Sequence, residues 1–146
     1  MTRRTTHSQL KALSALQGLR QQIARQAKDQ AVLRQAACVR DRDDAQAGFN
    51  GQIDAWTHFW ASDDRDPQFL SFLADRIDHA QIRMDLAGLS LDEADEMLRQ
   101  RASYYGGESL RAKDMERQKR QAARRCVDAS EQVAIQDSTL REWSRL

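Results

Sequence analysis

The sequence predicts an all-α protein: a long antiparallel two-helix coiled-coil hairpin with a projecting C-terminal helix. Three observations predict it. The chain has 146 residues, of which 21 are Ala, 19 Arg and 16 Gln, all good helix formers, while six Gly and one Pro leave little punctuation for turns. The lone Pro67 closes the only strong break, Ser-Asp-Asp-Arg-Asp-Pro at 62–67. Beyond that break a single seven-residue register holds almost to the end of the chain.

The first helix is expected over 8–61, with Thr5, Thr6 or Ser8 as its cap. Leu13, Leu16, Ile23, Ala27, Ala31 and Ala37 lie near one side, which reads as its inner stripe. The phase drifts near Val32–Arg42, and then Phe49, Ile53, Trp56 and Trp60 recur at helical steps. Gly48 and Gly51 weaken this end by about 1 kcal/mol each relative to Ala. In the break, Asp66 suits the cap of the next helix and Pro67 its first position.

The second helix is expected over 68–144. Stepping by three and four from Leu70 to Trp143 visits 22 positions, 18 of them apolar; the exceptions are Arg101, Glu108, Lys119 and Gln136. The chain's 40% hydrophobic background would supply about nine. Two soft spots lie inside this helix. Gly88-Leu89-Ser90 precedes a Ser90–Glu93 capping-box pattern, and Gly106-Gly107 is the other. Both read as bends or fraying, with a bend, or even the hairpin turn itself, at 88–90 as the alternative to a turn at 62–67. Residues 1–146 thus form a single elongated coiled-coil domain.

A turn centred in 62–67 sets the register. It places Trp60 by Phe69, Trp56 by Leu73, Phe49 by Ala80, Ala45 by Met84, Cys38 by Leu91, Ala31 by Leu98 and Ala24 by Tyr105. Several pairs set a large side chain against a small one, as close packing requires. Pairing ends near residue 121, so the last ~25 residues project as a helix roughly 35–40 Å long. Cys38 and Cys126 fall too far apart for a disulfide.

Composition narrows function. Lys and Arg number 23 against 22 Asp and Glu, a net charge of +1, without the basic excess of a nucleic-acid binder. No stretch approaches the ~18–20 apolar residues of a membrane span. The N-terminus carries no signal-peptide pattern, and two Cys make no disulfide framework, so a cytoplasmic protein is expected. His7, His58 and His79 are scattered without metal-ligand spacing. Cys126 occupies a seam position as a small apolar residue. Gly106-Gly107 lacks the rest of a phosphate-binding loop. The acidic run Asp92, Glu93, Asp95 and Glu96 suits a helix N-terminus better than a catalytic dyad. No catalytic residue, metal or cofactor is expected.

Three features point to protein partners. Arg111, Lys113, Arg117, Lys119, Arg120, Arg124 and Arg125 crowd one stretch of helix, either as a solvated face or as a docking surface for an acidic protein. Phe49, Trp56, Phe59, Trp60, Phe69 and Phe72 cluster at the turn, more than one seam can bury. Some, such as Phe59 or Phe72, should be exposed for a partner, unless they close a small local core. Val133, Leu140 and Trp143 continue an apolar stripe past the paired region.

An unequal helical hairpin of this size, together with Leu89-Ser90-Leu91-Asp92-Glu93 followed by Met97-Leu98-Arg99-Gln100-Arg101, resembles the FliJ/YscO/SctO family. These are the central stalk proteins of flagellar and virulence type III secretion ATPases. The resemblance implies a non-enzymatic stalk at the base of the secretion apparatus. It would insert into a hexameric ATPase ring, promote ring assembly, link it to the export gate and contact secretion chaperones. Arg117, Arg120, Arg124, Arg125, Val133, Leu140 and Trp143 would then face the ATPase, and Trp56, Phe59, Phe69 and Phe72 the export gate. A self-associating coiled-coil scaffold pairing through 70–143, or a small helical chaperone or adaptor, are the other readings.

Overall fold

The computed structural model describes the backbone of residues 2–62 and 66–143 and the side chains of 8–62 and 66–139. The described chain is all-helical: α1 spans Thr2–Ala61 and α2 spans Pro67–Trp143, and the two pack against each other. No strand occurs among the described residues. Helix α1 begins six residues before the expected start at 8.

The break between them follows local chemistry. The last turn of α1 closes when the Ser62 backbone N–H and hydroxyl both donate to the Phe59 carbonyl, at 3.1 and 2.7 Å. That satisfies one of the carbonyls a helix end leaves unpaired. Asp66 caps α2: its carboxylate accepts the Gln68 N–H at 2.9 Å, and its carbonyl accepts the Leu70 N–H at 3.1 Å. Pro67 occupies the first helical position, where its missing N–H costs nothing. The turn is therefore here and not at 88–90. Helix α2 runs through Gly88 and through Gly106-Gly107, and none of these glycines has positive φ. Ser90 starts no helix; its hydroxyl lies 3.5 Å from the Cys38 sulfur.

Gly106 and Gly107 bring a helix-interior cost without a packing reason, since a Cβ at either would meet nothing within 4 Å. Gly106→Ala and Gly107→Ala are each expected to raise stability by about 1 kcal/mol. Urea midpoints of the single and double variants check this; a drop would mean that these positions need glycine for a reason the helix geometry does not contain.

The chain divides into two compact units, one formed by Met1–Arg25 with Tyr104–Leu146 and the other by Gln26–Ser103. In the second unit Ala31, Cys38, Ala45, Leu73 and Ala94 are buried. Gln35 donates to Asp95 at 3.0 Å, and the Phe59 and Phe69 rings lie 5.2 Å apart. With the Cys38–Ser90 contact, these pairs establish an antiparallel arrangement there, within about one residue of the register read from the turn. In the first unit Ala24, Gln17 and Glu108 are buried. Gln17 donates to the Glu108 carboxylate at 2.7 Å, and Gln21 lies 3.5 Å from the Ser109 hydroxyl.

The expected α1 stripe needs correction. Leu13, Leu16 and Ile23 are exposed, while Gln17, Ala24, Ala31, Cys38 and Ala45, spaced by seven, are buried. The spacing continues through 32–42 without drift. The α2 seam opposite is lined by larger side chains such as Leu70, Ile77, Met84, Leu91, Leu98 and Tyr105, all at least half-buried. Close packing of two helices then favours small residues on α1 and leaves its bulky ones outside.

Candidate protein-interaction surfaces

Helix α2 brings Lys113, Arg117, Arg120 and Arg124 onto one face, at steps of four, three and four. With Glu116 and Gln121 they line an open groove of about 510 Å³. Glu116 is shared by Lys119 and Arg120, each at 3.4 Å. Lys113, Arg117, Arg124 and Arg125 have no hydrogen bond or ion pair to any described residue, so their charge is not neutralised locally. Exposed ion pairs such as those of Glu116 contribute little to stability.

The net charge of +1 is an average over unlike parts. The first unit carries 14 Lys and Arg against 7 Asp and Glu, a net +7; the second carries 9 against 15, a net −6. Whole-chain arithmetic hides this. Counting charge segment by segment exposes it.

The remaining apolar candidates fall as follows. Val127, Val133 and Ile135 are more than half exposed. Cys126, expected in the seam, is exposed with a free thiol, because α2 is half-buried only at isolated positions beyond Ala122. The side chains of Leu140 and Trp143 lie outside the described residues. Around the turn, Trp60, Phe69 and Phe72 are exposed, whereas Trp56 and Phe59 are half-buried. Trp56 and Trp60 meet edge-on at 5.8 Å, Phe69 and Phe72 stack at 6.0 Å, and the Arg76 guanidinium sits 5.5 Å above Phe72. The aromatics thus do both things the sequence allowed: part closes the end of the helix pair and part faces outward.

Two exposed apolar stripes remain, and one of them contains Leu16 and Ile23, which the sequence places on the inner stripe. Leu16, Leu19 and Ile23 lie on the outer side of α1, and Ile82, Leu86 and Leu89 on the outer side of α2. Their helical spacing is visible in the sequence, but it competes with the seam pattern.

Among the described residues no group of three His, Cys, Asp or Glu is placed to hold a metal, and no helix is long and apolar enough to cross a membrane. No family model, curated protein or solved structure matches the chain.

Proposed function

We propose that this chain is a non-enzymatic stalk of a type III secretion ATPase, working in the cytoplasm at the base of the export apparatus. The supporting observation is the cationic face on which Lys113, Arg117 and Arg124 have no ion pair to a described residue, followed along the helix by the exposed Val127, Val133 and Ile135. A helix that combines free guanidinium groups with unburied apolar side chains suits the acidic, partly apolar lining of a protein pore. On this reading the C-terminal part of α2 projects into the ring. Arg117, Arg120, Arg124, Arg125, Val133, Leu140 and Trp143 meet the ATPase. Trp56, Phe59, Phe69 and Phe72 meet the export gate, and secretion chaperones share the exposed helix faces.

Arg117→Glu with Arg124→Glu, made in the full chain, is expected to weaken binding to the secretion ATPase of the same organism at least tenfold. The same variant should lose stimulation of ring assembly, followed by light scattering and ATP hydrolysis. Both positions are exposed, so helicity by circular dichroism should be unchanged. Undiminished ring assembly with this variant and with a chain lacking 122–146 would overturn the reading.

A further inference from the structure

The seam of α2 is occupied by α1 from Leu70 to Ala122, so a scaffold pairing copies through the whole of 70–143 would have to open the helix pair. Association between copies needs another surface, and the two outer stripes supply one. Leu16, Leu19 and Ile23 are exposed by 47%, 58% and 64% of their surface, and Ile82, Leu86 and Leu89 by 57%, 61% and 61%. Each stripe covers two helical turns with the same seven-residue span, the spacing by which one helix lies along another.

Their surroundings have opposite charge. From Ser8 to Arg25, α1 carries Lys11, Arg20 and Arg25 and no acidic residue. From Asp78 to Glu96, α2 carries six acidic residues and one basic residue, Arg83. Asp78, Asp85 and Asp92 recur every seven residues along one edge of the Ile82–Leu86–Leu89 stripe. An open groove of about 520 Å³ adjoins it, lined in part by Asp85, Leu89 and Asp92 and, from α1, by one cation, Arg42.

We propose that the occupant of each stripe is a second copy of this chain, docked head to tail: Leu16, Leu19 and Ile23 of one copy pack on Ile82, Leu86 and Leu89 of the next. The charge of the units selects this pairing. Like-with-like docking would set a unit of +7 against +7, or −6 against −6, whereas head-to-tail docking sets +7 against −6. Such an interface is heterologous. After the first contact one copy still has its α1 stripe free and the other its α2 stripe, so association proceeds beyond a dimer to rings or open chains. Three large side chains on each side make a small interface, so the association is weak and depends on electrostatic steering. The inference is independent of the secretion-ATPase reading.

The test is sedimentation velocity of the full chain, from micromolar to hundreds of micromolar. The mean sedimentation coefficient should rise with concentration at about 0.1 M salt and rise much less at about 1 M, where the Debye length falls from ~10 Å to ~3 Å. Leu19→Glu spoils one stripe and Leu86→Lys the other, both at exposed positions. Each variant alone should remain monomeric with unchanged helicity. Mixed, they should form a 1:1 complex that grows no further, because only one intact stripe of each kind remains. A wild-type chain that stays monomeric at low salt overturns the proposal, as does a mixture of variants that fails to pair. So does a monomeric wild type whose ATPase capture is lost on Leu19→Glu, since that outcome assigns the stripe to a different protein.

Discussion

Leu73→Ala is expected to destabilise the helix pair by about 2–5 kcal/mol, measured by urea or thermal unfolding followed at the helical circular-dichroism band. The expectation rests on how thin the core is. Among the described residues the buried hydrophobic side chains are Ala24, Ala31, Cys38, Ala45, Ala94 and Leu73, so Leu73, at 4% exposure, is the only large one. Removing its three terminal carbons loses their transfer free energy and leaves a void that two rigid helices close only in part. Leu86→Ala, made at an exposed position on the same helix, is the control and should shift stability by no more than about 0.5 kcal/mol. Equal effects at the two positions would mean that Leu73 is not in a seam.

Gln17→Leu is expected to cost about 1–3 kcal/mol although it adds an apolar side chain to a buried position. Glu108 is 2% exposed, and its carboxylate receives Gln17 at 2.7 Å and Arg111 at 2.6 Å. Gln17 also reaches the Glu108 carbonyl at 3.3 Å. Without Gln17 the buried carboxylate keeps only Arg111, whose side chain is 70% exposed and holds it from the water side. Replacing both residues, Gln17→Leu with Glu108→Leu, should restore stability to the wild-type level or above, because no buried polar group is then left unpaired. The double variant should lose something else. A buried polar pair inside a mostly apolar seam penalises every register in which its members miss each other. Broadened amide resonances or a mixture of oligomers in the double variant would report that loss. A Gln17→Leu variant as stable as wild type would show that the pair is not closed in solution.

These two sites differ in how far they could be foreseen. Leu73 belongs to the stepped register of α2, which the structure keeps from Leu70 to Ala122 with Arg101 as its one exposed member. Glu108 stood in that register as a polar exception, and only its placement beside Gln17 explains why it is buried there. The α1 seam was harder to read. Alanines at 24, 31 and 45 with Cys38 are weak hydrophobic signals, and the eye is drawn to Leu13, Leu16 and Ile23 instead. Pairing large α2 residues with small α1 partners pointed to the right α1 residues, because it asked what could fit and not what was most hydrophobic.

The residues alone dictate a helical chain, two candidate turns at 62–67 and 88–90, and the face of α2 that turns inward. Those properties follow from backbone propensity, a cap and a proline, and a long apolar period, all of which act over a few residues. The packing of the two helices decides which face of α1 is buried, that a carboxylate and an amide share the interior, and which leucines remain outside. Each depends on the volume and charge that the opposite helix presents, and a single helix read alone contains no record of its neighbour.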